Sequence, residues 1–406
     1  MSLTVKMSLL AFLALVSTVV ASNNFKFELM ERNSFDDLTL KVTFPDNKED
    51  TMLLERFYLN PTEKLNRVEK CRFVGHLESN PKSSIALTGC IGSEDVLITI
   101  LSSEPMIQKM FLWKLDGEIE ELKEDFEDLM REDDNEEEDE PDDEDEIETP
   151  DSVIDKKHCA LELEGNIEGL IPPELTLEVT VGYEDNFLAS YAGDHDEAVA
   201  TIEATLTHAQ AFFYAESLQT RITLRTNGDI TYWPDQRMTA KGNFMKQFAN
   251  LLRANADSVP DADSHVLFTC HGLLNVLGVA PDDLPPVDKV AGMASFGNVC
   301  AGNYGSRTIV ERGKGGTGMG MIGILLHELG HNLGMGHNGE YEKKIEGIPA
   351  GLCKIDKTGD RRPIMRYASD DWVPRDLTWT ICNRCDLLRN FHKKLIKSGE
   401  YCLDRS

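Results

Sequence analysis

The stretch REDDNEEEDEPDDEDEIE, Arg131–Glu148, cannot bury itself, and so it divides the chain into two parts that must fold apart from it. From Asp116 to Asp151 there are about 23 Asp and Glu against Lys123 and Arg131, which is most of the formal charge of −30 on the 406-residue chain. Like charges at that density repel and hold the segment extended. Residues 116–151 are therefore expected to be a disordered acidic linker. Outside it the protein is only moderately acidic, and 41% hydrophobic residues suffice for a sizeable core. No basic stripe is present to neutralise phosphates, which excludes a nucleic-acid partner.

The N-terminus reads MSLTVKMSLLAFLALVSTVVASNN. Lys6 supplies a positive start, Met7–Val20 a short apolar run, and Val19 and Ala21 side chains suited to cleavage after Ala21 or Ser22. Residues 1–22 are expected to be a secretory signal peptide, and no later run is long enough to span a bilayer. A secreted chain with nine cysteines implies disulfides, and the odd number leaves at least one thiol without a partner in the chain. Cys71 and Cys90 are expected to close a loop.

Residues 23–115 read as a small β-rich unit. Leu38–Phe44, Ser84–Cys90 and Asp95–Ser103 are β-branched or alternating runs bounded by turn residues. From residue 174 strands and helices alternate. Glu174–Asp185 reads as a strand and Asp196–Ser217 as a long helix. Strands flank an Asn-Gly turn at 227–228, and a helix covers 243–256. Ser264–Cys270 reads as a strand and Lys289–Cys300 as an edge strand. A third helix, GMGMIGILLHELGHNLG, stops at Gly334. The order is α/β, a mixed sheet backed by long helices.

That third helix carries the chemistry. In HELGHNLGMGH, His327 and His331 lie four residues apart, on one helical face, and aim two imidazoles at one point. Glu328 lies about 100° around the helix, beside the metal rather than on it. Gly334 permits a left-handed turn that returns His337 from another direction. Three neutral histidines with one open position suit a catalytic zinc ion, and Glu328 is placed as the general base. The full H-E-x-x-H-x-x-G-x-x-H pattern is far more specific than its first five residues.

With these residues the chain resembles the metzincin zinc metalloproteases, and among them the adamalysin or reprolysin branch. RRPIMRYAS (Arg361–Ser369) is similar to the family's Met-turn, which implies an apolar floor at Met365 beneath the zinc ligands. AGMASFGNVC resembles the strand on the upper rim of the cleft, where substrate adds antiparallel. CRFVGHLESNPKSSIALTGCIG resembles the branch's propeptide, and KKHCALE its cysteine switch. The resemblance implies a β-rich prodomain ahead of a metzincin domain at 174–406, with residues 152–173 as a switch segment. Cys159 would then hold the zinc in a latent zymogen until an activating protease removes it. It also implies a Cys300–Cys402 disulfide and a calcium ion at Glu178, Asp263 and Cys402. Tyr367, two residues after Met365, matches the switch tyrosine of the astacin and serralysin branches. Two departures from the reprolysin pattern stand out: Asn338 where an Asp usually follows the third histidine, and Ala160 where a Gly usually follows the cysteine. The implied function is a secreted zinc endopeptidase acting on extracellular proteins through zinc-activated water. The alternative is a catalytically silent binding protein on the same fold.

Overall fold

A computed structural model describes residues 25–31, 36–66, 70–103, 106–122, 171–234, 244–256, 259–270, 291–302, 304–312, 318–338, 362–365, 377–398 and 403. The expected signal peptide, most of the acidic run, Cys159, Cys353, Tyr367 and Cys402 lie outside these residues.

The N-terminal part is one antiparallel meander of eight strands. They are β1 (Lys26–Glu31), β2 (Asp37–Thr43), β3 (Glu49–Arg56), β4 (Arg72–Leu77), β5 (Asn80–Thr88), β6 (Val96–Ser103), β7 (Met106–Trp113) and β8 (Ile119–Glu121), with a short helix α1 (Pro61–Asn66) before β4. The sheet curls, so that Phe25 and Phe27 at its start meet Phe111 of β7, with ring centroids 4.7 and 5.4 Å apart. The expected Cys71–Cys90 bridge forms and joins the start of β4 to the end of β5. The sheet also runs past the expected boundary at residue 115. Ile119 is buried in the curl, while Glu121 pairs with Lys109, and Glu118 and Glu120 with Lys114. One apolar residue and two lysines thus draw the first acids of the charged run into a strand.

The second part is built on the sheet order β10–β9–β12–β14–β13. β9 (Glu174–Tyr183), β10 (Arg221–Thr226), β12 (Ser264–Thr269) and β14 (Arg307–Glu311) are parallel, and β13 (Gly292–Ala294) is an antiparallel edge. The Asn227-Gly228 pair does not close a hairpin. β10 and β11 (Thr231–Tyr232) both pair with β9, in parallel, so the glycine at φ +93° interrupts one strand line rather than reversing it. Side-chain alternation then sorts the helices. Val266, Phe268 and Val310 point to the face covered by α3 (His195–Phe213) and α5 (Gly318–Asn332). Leu267 and Ile309 point to the other face, covered by α4 (Phe244–Ala254) with Trp233, Phe244 and Phe248. A short α2 (Asp185–Ala189) follows β9, and Glu184 caps it by accepting from the Asn186 and Phe187 N–H groups. Beyond the active-site loop, β15 (Arg362–Pro363) pairs with β16 (Leu377–Thr378), and α6 (Ile381–Ser398) closes the described chain. Among the described residues no helix is long and apolar enough to cross a membrane.

The two parts share a core. Phe57, Leu59, Ala86 and Leu101 of the first belong to the same buried cluster as Ile202, Leu206, Leu325 and Leu329 of the second.

Candidate active site

Helix α5 is apolar for a full two turns before its histidines, and Met321, Ile322 and Ile324–Leu326 are all buried. A helix apolar on every side is a core helix, and this one carries its polar groups only at its C-terminal end. There the helix stops as expected. Gly334 has φ +88°, its N–H bonds the His331 carbonyl at 2.8 Å, and the Met335 N–H bonds the Gly330 carbonyl at 2.9 Å. This paired bonding is a Schellman stop, which reverses the chain and brings His337 back over the helix.

The three histidines meet. Their Nε2 atoms lie 3.0 Å (His327–His337), 3.0 Å (His327–His331) and 2.9 Å (His331–His337) apart. Nitrogens bound to one tetrahedral zinc at about 2.0–2.1 Å would be about 3.3 Å apart, close to this spacing. The other ring nitrogens fix the tautomers: Nδ1 of His327 faces the Ile364 carbonyl and Nδ1 of His331 the Met335 carbonyl, both at 2.9 Å. A carbonyl only accepts, so each Nδ1 carries the proton and each of these Nε2 lone pairs points into the shared space. Converging lone pairs repel unless a cation sits among them, so the donor set fits a divalent metal. Burial keeps His327 and His331 in the neutral form a metal requires. It lowers His327 to about 3, with His337 beside it adding to the shift, and lowers His331 well below 6.5 by the same causes. Among the described residues this is the one cluster with metal-ligand geometry.

Glu328 is buried and its carboxylate lies against the edge strand. A Cβ on Gly292 of β13 would stand 2.6 Å from its Oε1, so glycine there makes room for the carboxylate. Among the described residues no strand pairs with the outer side of β13, the side on which an extended peptide could add. Just past it, exposed Phe296 stands 6.0 Å from the His331 ring, centroid to centroid. The loop it begins returns to the helix end, where the Gly297 and Val299 N–H groups bond the His331 and Asn332 carbonyls.

Met365 is fully buried, and a Cβ on Gly330 would stand 2.3 Å from its Sδ, so the methionine packs directly against the active-site helix. Its carbonyl accepts from the Asn338 N–H at 2.7 Å. Asn338 itself is fully buried among amides. Its Oδ1 accepts from Asn383 Nδ2 at 3.0 Å, and its Nδ2 donates to Thr380 Oγ1 at 3.2 Å. Asp386 accepts from the Gly336 N–H at 2.9 Å, and Asn390 Nδ2 donates to the Leu333 carbonyl at 2.9 Å. Helix α6 thus holds the loop that carries His337, and sequence reasoning found neither the helix nor these residues. Asn332, also unforeseen, ties the other side of α5 to β12 and β14 through Ser264, Ser306 and Thr308.

Residues 199–338, about a third of the chain from within α3 to just past His337, match the family model described as metallo-peptidase family M12B, reprolysin-like. Over those residues the chain is similar to the reprolysin-type metzincins, and the match ends just past the histidine triad. The histidine triad accords with zinc binding. A comparison with curated proteins finds no match.

The remaining expected site residues divide. Glu178 and Asp263 are neighbours, but Asp263 Oδ2 accepts from the Glu178 N–H at 2.9 Å in a strand-to-loop clasp, and the expected calcium gains no support. Cys300, Cys382 and Cys385 are disulfide-bonded. Cys270 Sγ donates to the Arg312 carbonyl at 3.3 Å.

Proposed function

We propose that this chain is a secreted zinc metalloendopeptidase made as a latent zymogen. The observation that carries the reading is the convergence of three Nε2 atoms within 3.0 Å of one another, beside a buried Glu328 that lies against the edge strand β13. Nε2 of His327, His331 and His337 would hold the zinc, which when bound acts as a Lewis acid toward water and a peptide carbonyl. The chain does the rest. The free side of β13 pairs with the substrate backbone and holds it extended across the site. Glu328 accepts the proton of the attacking water and returns it to the leaving amine. Burial under Gly292 keeps that carboxylate in place. Phe296, beside His331, offers the substrate an aromatic surface. Met365 supports the helix from below and, through its carbonyl, the loop after His337.

Secretion rests on the signal-like residues 1–22, and latency on the likeness of the segment around Cys159 to a cysteine switch. In that reading an activating protease cuts between the two parts, and the substrates are extracellular proteins. The test is cleavage of casein by the processed protein, with a chelator arm and a Glu328→Ala arm. Loss of activity in both is expected, with zinc retained by Glu328→Ala. Equal cleavage in the Glu328→Ala arm, or none by the zinc-loaded, processed wild-type protein, overturns the reading in favour of a silent binding protein. Latency that survives Cys159→Ala rejects the switch.

A further inference from the structure

Helix α3 is buried on every side over its second half. From Thr205 to Phe213 all nine residues are buried, polar ones included. A helix lying on a sheet buries one stripe, so a helix buried all round has two partners. The first is the helix α5 and strand β10 side of the metzincin domain. The second is the outer face of the curled N-terminal sheet. In β5 and β6, Ile85, Leu87, Ile98 and Ile100 point into the sheet's own core. The alternate residues Ala86 and Leu101 point outward, yet they are buried too, in the metzincin core. A sheet that is apolar on both faces is built to be covered on both.

The polar groups across this seam are matched. Fully buried His208 of α3 uses both ring nitrogens, Nε2 with Thr88 Oγ1 at 2.9 Å and Nδ1 with Thr99 Oγ1 at 2.8 Å. Glu203 receives Lys70 at 3.1 Å and lies 3.5 Å from Arg72, whose other amine bonds Glu63. Lys82 meets Glu216 at 3.0 Å, just after α3. The Leu59 carbonyl accepts from the Thr226 N–H at the end of β10 at 2.7 Å. Cations stand on one side and carboxylates on the other. Removing the sheet would expose the apolar back of α3 and strand His208, Glu203 and the Thr226 N–H without these partners.

We infer that the outer face of α3 is a permanent docking surface for the chain's own N-terminal sheet, which stays bound as a second subunit after the acidic stretch between them is cut. The part read as a removable propeptide is then a structural half of the mature protein. This inference concerns assembly and stands whether or not the site proves catalytic.

The test uses the whole chain. A glutamate-specific endoprotease nicks the acidic run in folded protein. The N-terminal fragment carries only the mutually bonded Cys71 and Cys90, so no disulfide can hold the two pieces together. Size-exclusion chromatography with light scattering should show one species of full mass, which a denaturing gel resolves into two bands. Two separate native peaks overturn the inference. In nicked protein that folded as one chain, Glu203→Arg should weaken the association at least about tenfold, because it sets a cation against Lys70 and Arg72. Unchanged association would show that these contacts do not hold the parts together.

Discussion

Acid should loosen this protein through His208, and the size of the effect can be worked out. Burial in the seam between α3 and the N-terminal sheet lowers this imidazole from 6.5 to about 3. The folded protein therefore stays unprotonated at His208 between those values while the unfolded chain takes up a proton. The unfolded state binds more protons there, so stability is complete above pH 6.5 and falls as the pH drops toward 3. The slope is about 1.4 kcal/mol per pH unit once the pH is below 6.5, so a fall from about pH 8 to about pH 4.5 should cost about 2.7 kcal/mol through this one group. Urea unfolding at the two pH values, in native protein and in His208→Asn, isolates the term. Every other titratable group is common to the two proteins, so the difference between them isolates position 208. Asparagine starts less stable at neutral pH, because it leaves one threonine hydroxyl without its partner, but it should lose about 2.7 kcal/mol less on acidification. Equal acid losses in the two proteins would refute the claim that His208 is held neutral in the seam.

Two further substitutions probe the site. Asp386→Ala removes the carboxylate that accepts from the Gly336 N–H, so stability should fall by about 1–3 kcal/mol, and zinc affinity by about 10–100-fold as the His337 loop loosens; chelator competition measures the latter. Gly292→Ala puts a methyl group 2.6 Å from Glu328 Oε1, so proteolysis should drop about 100-fold while metal content, measured by elemental analysis, stays at that of the native protein.

The metal clamp was legible because it is local. Spacings of four and three on one helix, then a glycine, fix where His327, His331 and the turn at Gly334 fall, whatever the rest of the fold does. Strands with clean alternation, such as β2, β5, β6, β9 and β12, were legible for the same reason. The Asn-Gly pair misled because its hairpin preference is also local, while β10 and β11 are held by β9, which lies far away in the sequence. Helix α6 was missed for the opposite reason. Its buried side includes Asn383, Asp386 and Asn390, which bury only because a loop some fifty residues earlier offers them unpaired backbone groups. Nor could hydrophobic pattern reveal that the N-terminal sheet is covered on its outer face by Thr88 and Thr99 meeting a histidine.

The same network accounts for the departure at Asn338. Asp386 already brings one carboxylate to the Gly336 N–H, and Asn383 reaches both Asn338 Oδ1 and, at 3.4 Å, the Gly336 carbonyl. An aspartate at 338 would set a second buried carboxylate around the same three-residue loop. Two such groups cannot both ionise cheaply, so one would have to take up a proton. The amide avoids that conflict. It accepts from Asn383 with its oxygen and donates to Thr380 with its nitrogen, a donor role that no ionised carboxylate can fill. The residue after the third histidine is thus chosen by what α6 presents to it, and the acid usual at that place has its counterpart here one helix away, at Asp386.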